Sequence, residues 1–141
     1  MRKVAVVFWS GTGNTEAMAA AVAQGVRDGG GEVMVKTAAE FTEAELDQFD
    51  AVAFGCPSMG AEELEETEFE PLFERCRGGI RGKRLGLFGS YGWGDGEWMR
   101  NWEEQVRADG ADLVSNGVIC NEAPDEEAVA ACQSLGRALA S

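Results

Sequence analysis

Short apolar segments alternate with amphipathic segments along the whole chain. Residues 4–8 form a run without a single polar side chain, which is typical of a strand covered on both faces. Residues 12–28 carry Met18, Val22 and Val26 at intervals of four, which predicts an amphipathic helix that ends at the three glycines 29–31. The chain therefore opens with a strand followed by a helix.

The same alternation continues to the last residue. Further strands are predicted at residues 32–36, 50–56, 83–89 and 113–120, and further helices at 42–48, 69–76, 97–108 and from Pro124-Asp125 onward. The last strand is expected to be interrupted near Asn116-Gly117. Five such units predict an α/β fold with a doubly wound, five-stranded parallel sheet in the order 2-1-3-4-5 and helices on both faces. The length and the lack of a polar linker predict one domain over residues 1–141.

The charge of the chain limits its partners. A net charge of −13 argues against nucleic acid, because phosphates demand a basic surface, and against anionic membranes. The same charge permits a protein partner with a basic docking face. An equally good interpretation is that the acidity serves solubility alone.

The cysteine and histidine content restricts the chemistry. Four cysteines without C-x-x-C or zinc-ligand spacing predict free thiols in a reducing cytosol. The apolar start is too short for a signal peptide, and no stretch reaches the ~20 apolar residues of a membrane span, so we expect a cytoplasmic protein. The absence of histidine excludes Ser-His-Asp and Cys-His catalysis and His-ligated metals. The chemistry must then come from a bound group.

The loop after the first strand has the composition of an anion site. Its residues are Ser10, Gly11, Thr12, Gly13, Asn14 and Thr15. Glycines let the backbone amides face an anion, hydroxyls add donors, and the following helix offers its positive end. This loop lacks the G-K-[ST] ending of a Walker loop and the G-x-G-x-x-G turn of dinucleotide sites. The alternative is an ordinary strand-to-helix turn.

The loops after the third and fourth strands suit a flat ring. Met59 offers a polarizable thioether beside Gly60, whose peptide can rotate at little steric cost. Tyr91 and Trp93 offer aromatic faces among glycines 89, 92, 94 and 96. In the predicted strand order, all three loops leave one edge of the sheet, which favours a mononucleotide site. The alternative for the apolar residues is packing against the core.

These segments together resemble the short-chain flavodoxins of anaerobic bacteria. The matching motifs are W-S-G-T-G-N-T from Trp9, M-G at Met59, Glu62, the Glu-rich run to Glu70-Pro71, and F-G-S-Y-G-W-G from Phe88. The likeness runs essentially from end to end. Ligands of such sheets bind at the carboxyl ends of the strands, a rule for which flavodoxins are themselves an example.

The resemblance implies an FMN site. It implies that Ser10 to Thr15 hold the phosphate, that Met59 and Trp93 flank the isoalloxazine, that the Gly60 carbonyl lies near flavin N5 and that Glu62 lies near N3. The expected FMN-binding residues are Ser10, Gly11, Thr12, Gly13, Asn14, Thr15, Pro57, Ser58, Met59, Gly60, Ala61, Glu62, Ser90, Tyr91, Gly92, Trp93 and Gly94.

Two residues depart from the family pattern. Pro57 occupies a position where some relatives have a phosphate-contacting serine, so one donor is lost. Ala61 follows the mobile glycine where relatives often carry Asp, Ser or Gly. Alanine reaches positive φ less readily than glycine. We therefore expect the Gly60 peptide to flip toward flavin N5 less favourably than in relatives with glycine at position 61.

The resemblance also implies the function. We expect a monomeric, low-potential, one-electron carrier, not an enzyme, whose FMN cycles through a stabilised neutral semiquinone. Its expected partners are redox proteins, with reductase or ferredoxin-like donors and oxidoreductase acceptors, docking on an acidic face. The low potential is expected from the glutamates near the flavin, namely Glu62, Glu63, Glu65, Glu66 and Glu68. The alternatives are an FMN-dependent reductase of a small molecule and a non-redox switch module of the same fold.

Overall fold

The chain folds into a parallel sheet between two layers of helices. A computed structural model describes residues 2–59 and 62–141. The strands are β1 Lys3–Phe8, β2 Glu32–Thr37, β3 Ala51–Gly55, β4 Arg84–Tyr91, β5 Asp112–Leu113 and β6 Val118–Asn121. The helices are α1 Asn14–Asp28, α2 Phe69–Cys76, α3 Glu97–Ala108 and α4 Glu126–Ala140, with 3₁₀ helices at Glu43–Gln48 and Arg77–Gly79.

The strand order is β2-β1-β3-β4-β5, all parallel, which confirms the predicted fold class. β6 also pairs with β4, so the predicted fifth strand consists of two short strands on the same neighbour. The break lies at the predicted Asn116-Gly117. A Cβ on Gly117 would lie 2.4 Å from Met99 Sδ, and the Gly117 amide donates to Glu103 Oε2 at 2.5 Å. The chain thus leaves the sheet to pack on α3.

Two apolar cores cover the two faces of the sheet. Alternate residues of β1 belong to different cores, because successive side chains of a strand point to opposite faces. One core, on the side of α1 and α4, includes Val4, Val6, Met18, Val22, Leu135 and Leu139. The other, on the side of α2 and α3, includes Phe54, Phe69, Phe73 and Trp102, whose rings meet mostly edge to face. The continuous apolar run of β1 is explained by this double burial.

The structure differs from the predicted boundaries near the first loop. α1 begins at Asn14, two residues later than predicted, because Gly13 adopts the left-handed conformation with φ 94°. The predicted helix at 42–48 is a 3₁₀ helix whose start is fixed by a capping box between Thr42 and Glu45. β4 extends to Tyr91, so the third loop begins later than expected.

The sequence also predicts free thiols and no membrane-spanning segment. All four cysteines are free, and burial raises the pKa of the Cys56, Cys76 and Cys132 thiols to about 12. No helix within residues 2–59 and 62–141 is long and apolar enough to cross a bilayer.

Candidate functional site

The three predicted loops line one cleft at the carboxyl edge of the sheet. The lining residues are Trp9, Gly11, Thr12, Asn14, Pro57, Ser58, Met59, Ser90, Tyr91, Gly92 and Glu122. All of these except Trp9 and Glu122 belong to the predicted set. The loops meet there because β1, β3 and β4 are adjacent and parallel.

The first loop presents uncharged donors to the cleft. Ser10 Oγ accepts the amides of Gly13 (3.0 Å) and Glu16 (3.3 Å), which fixes the turn into α1. Within the described residues, the amides of Gly11, Thr12 and Thr15 find no acceptor. Free amides at a helix start form an anion site.

A buried contact links this loop to β4. Thr15 is 1% exposed, and its Oγ1 accepts the Ser90 amide at 3.4 Å, while the Ser90 carbonyl accepts the Ser58 amide at 3.0 Å. Ser90 therefore joins all three loops. The predicted contact of Thr15 with a phosphate stays a prediction, since its hydroxyl faces Ser90 here.

The second loop places a thioether at the cleft. Met59 is 37% exposed and forms two backbone hydrogen bonds with Glu63, at 2.8 and 2.9 Å. Pro57 and Ser58 line the cleft beside it. The predicted roles of Gly60 and Ala61 concern residues outside those that the structure describes.

The third loop contributes one aromatic wall and a link to the second loop. Tyr91 lines the cleft and packs on Trp98 with ring centroids 5.6 Å apart, whereas Trp93 is 59% exposed and is not part of the lining. Gly94 (φ 85°) leaves room for the Glu62 carboxylate, which accepts the Glu97 amide at 3.0 Å. The flavin contacts expected of Trp93 and Glu62 stay predictions.

Two lining residues were missed from the sequence. Trp9 Nε1 donates to Glu68 Oε1 at 3.1 Å, so its indole is oriented by the Glu-rich run. Glu122 has φ 60°, and its amide donates to the Tyr91 carbonyl at 2.9 Å. Both residues directly follow strands that end at this edge of the sheet. That position in the sequence could have predicted them as lining residues.

The composition of the cleft fits FMN. The lining combines amides and hydroxyls of the first loop, without any Lys or Arg, with three broad apolar side chains, Trp9, Met59 and Tyr91. Within the described part of the chain, no group of three Cys, Asp or Glu residues could hold a metal ion. Such a cleft suits a phosphate joined to a flat ring.

Comparison with known proteins gives the same picture. The family model described as Flavodoxin matches residues 6–135. The chain is 44% identical to a flavodoxin of Clostridium beijerinckii over 96% of the chain and 97% of the relative, and 41% identical to a flavodoxin of Megasphaera elsdenii over 97% and 98%. The solution structure of the two-electron reduced Megasphaera elsdenii flavodoxin superposes with a TM-score of 0.89 at 42% identity, covering 97% of this chain and 98% of that one.

Both the family match and the relatives span nearly the whole chain, and the fold and strand order agree with them. The chain therefore belongs to the flavodoxin family, whose members bind FMN and transfer electrons without turning over a substrate of their own.

Proposed function

We propose that the cleft is the FMN site of a low-potential, one-electron carrier that works as a single domain over residues 1–141. The observation that carries this proposal is that one cleft is lined both by uncharged donors of the first loop and by the broad apolar side chains of Trp9, Met59 and Tyr91. The seventeen residues expected to bind FMN are proposed to do so from the three loops, with Trp9 and Glu122 added from the structure.

The first loop would bind the phosphate. The free amides of Gly11 and Thr12 and the hydroxyl of Thr12 supply hydrogen bonds, and the start of α1 supplies positive potential. Trp9, Met59 and Tyr91 would cover the ring and exclude water from it. FMN, when bound, supplies the capacity to take up and release single electrons.

The acidic rim of the cleft supports a low potential. Glu62, Glu63 and Glu122 lie on the loops that line or adjoin the cleft, and no basic residue is part of the lining. A unit negative charge ~8 Å from an added electron costs roughly 2 kcal/mol at an effective dielectric constant of ~20. That energy corresponds to about 90 mV for a one-electron step.

A redox titration tests this function. The purified chain should bind one FMN and turn yellow, and its reduction should occur in two separate one-electron steps whose second potential lies below that of free FMN. NAD(P)H alone should give no steady turnover. A chain that stays colourless with FMN would contradict the site, and a second potential at or above that of free FMN would contradict the low-potential assignment.

We further propose that redox partners dock on an acidic face around the cleft of a monomeric, cytoplasmic protein. This face is formed by exposed glutamates of the second loop and of the first turn of α2, namely Glu63, Glu66, Glu68 and Glu70. At the opposite edge, basic residues are engaged within the protein. Arg77 binds Asp109 at 2.7 Å, Lys83 donates to the Leu46 and Phe49 carbonyls, and Arg84 donates to carbonyls at the end of α4. The glutamates beside the cleft, by contrast, form no ion pair within the described residues.

Salt should slow electron transfer to a basic partner. With a small basic cytochrome as acceptor, the second-order rate should fall roughly tenfold between 20 and 200 mM salt, because screening weakens the attraction of the acidic face. Glu63→Gln should reduce this dependence, whereas Glu32→Gln, at the opposite edge of the sheet on β2, should leave it unchanged. A rate that rises or stays constant with salt would rule out docking by charge.

A further inference from the structure

We propose that Glu65 is a positioning residue that holds two walls of the cleft, Trp9 and Met59, in place for FMN. This inference rests on the proposed function, because it concerns how the same cleft is shaped. Within the described residues, Glu65 is the sole buried carboxylate, with 4% of its surface exposed. From the sequence, Glu65 is expected among the glutamates near the flavin, and the structure shows that it is buried while Glu63, Glu66 and Glu68 are exposed.

The Glu65 carboxylate receives four hydrogen bonds. Oε1 accepts the amides of Glu68 (2.8 Å) and Phe69 (2.9 Å), and Oε2 accepts the amide of Thr67 (2.8 Å) and the Thr67 hydroxyl. A buried carboxylate is tolerated only when its oxygens are satisfied in this way. The four donors come from the segment that enters α2.

Glu65 also closes the start of α2. The N-cap residue of this helix, Glu68, makes no capping hydrogen bond with its side chain. Glu65 accepts the first amides of this helix from outside it: its side chain accepts those of Glu68 and Phe69, and its carbonyl accepts that of Glu70 at 2.8 Å. The start of α2 is therefore fixed by a side chain that belongs to the second loop.

The backbone of Glu65 connects this arrangement to Met59. Its amide donates to Cys56 Sγ at 3.3 Å, and Cys56 lies directly after β3. Two residues earlier, Glu63 forms the pair of backbone hydrogen bonds with Met59. Met59 and Glu63 are thus held near the carboxyl end of β3, the first through the chain and the second through the hydrogen bond of Glu65 to Cys56.

The same carboxylate orients Trp9 through Glu68. Oε1 of Glu65 fixes the Glu68 amide, and the Glu68 side chain accepts the Trp9 indole N–H at 3.1 Å. Trp9 and Met59 come from different loops and line the same cleft. Glu65 is the residue whose contacts lead to both.

Glutamine cannot replace this carboxylate. Burial raises the pKa of Glu65, but the hydrogen bonds from Thr67, Phe69 and Glu68 together hold it below its ordinary value, so the group is anionic at neutral pH. The amide of glutamine has one acceptor oxygen, and its NH₂ group would face donors that need an acceptor. Glu65→Gln therefore keeps the shape of the side chain and disrupts its hydrogen bonds.

The experiment compares Glu65→Gln with Glu66→Gln in the full chain. Glu66 is the exposed neighbour, so the control removes the same charge from the same loop. The dissociation constants of FMN and of riboflavin are measured, together with urea unfolding of each apoprotein. We expect Glu65→Gln to raise both constants about tenfold, or about 1.4 kcal/mol at 25 °C, under conditions where its apoprotein is folded. Glu66→Gln should change them less than twofold.

The outcomes separate this inference from the proposed function. Equal affinities in the two variants would overturn the role of Glu65 while leaving the FMN site intact, and a wild-type chain that binds neither flavin would overturn the site itself. Should Glu65→Gln not fold, Thr67→Val removes one donor and keeps the carboxylate. That variant should weaken binding of both flavins about threefold, and unchanged binding would again overturn the role.

Discussion

Replacing Gly136 with alanine is expected to lower the free energy of unfolding by about 2 to 3 kcal/mol. A Cβ at this position would lie 2.1 Å from the Val22 carbonyl oxygen and 2.7 Å from the Val26 amide nitrogen. These are backbone atoms of α1, which cannot rotate away, so α1 and α4 must separate. Overpacking typically costs about 1–3 kcal/mol and occasionally more, and because backbone atoms are met here we expect about 3 to 4 kcal/mol. The gain of about 1 kcal/mol from alanine's helix propensity offsets part of this cost.

Urea unfolding of the apoprotein measures this effect, with Gly78→Ala as the control. A methyl group at Gly78 meets nothing within 4 Å, so that variant should stay within about 0.5 kcal/mol of the wild type. Gly25 faces the same contact from α1, where a Cβ would lie 2.0 Å from the Gln133 carbonyl oxygen. The same separation of α1 from α4 makes room for both methyl groups. The double variant should therefore lose less unfolding free energy than the sum of the losses of the two single variants. Full additivity would contradict the shared contact.

The sequence could not reveal this contact between helices. Gly25 and Gly136 lie inside amphipathic patterns, where a glycine weakens a helix without saying what approaches it. The strands could be predicted from the sequence, because a strand that is buried on both faces has a continuous apolar run, as β1 and β3 do. The fold class and strand order could therefore be predicted, while the closeness of α1 and α4 required three-dimensional structure.

The candidate site, like the fold, could be predicted from the sequence only in part. The first loop could be recognised because glycines and hydroxyls before a helix have a local chemical meaning. Glu65 could not be told apart from the neighbouring glutamates, since its burial depends on the donors of the segment that enters α2. The exposure of Trp93 likewise depends on how the loop after β4 leaves the sheet, which residue type does not determine.

The largest effect on FMN binding is expected from Thr12→Asp. Thr12 lines the cleft together with Gly11, and no lining Lys or Arg could neutralise a new carboxylate there. Two unit charges ~4 Å apart repel by roughly 4 kcal/mol at an effective dielectric constant of ~20. The dissociation constant of FMN should therefore rise by about a hundredfold to a thousandfold, as measured by quenching of flavin fluorescence.

Two comparisons assign this loss to the phosphate. Thr12→Asn is similar in size to Thr12→Asp and uncharged, so it should weaken FMN binding by less than about tenfold, the scale of one hydrogen bond. Riboflavin lacks the phosphate, so the new carboxylate has no negative charge to repel. Its affinity should therefore fall by less than about tenfold in both variants. If Thr12→Asp weakened FMN and riboflavin equally, the carboxylate would be disturbing the ring or the fold, and the amides of this loop would not be the phosphate site. A loss confined to FMN requires the phosphate to lie against uncharged donors, where a single charge decides the affinity.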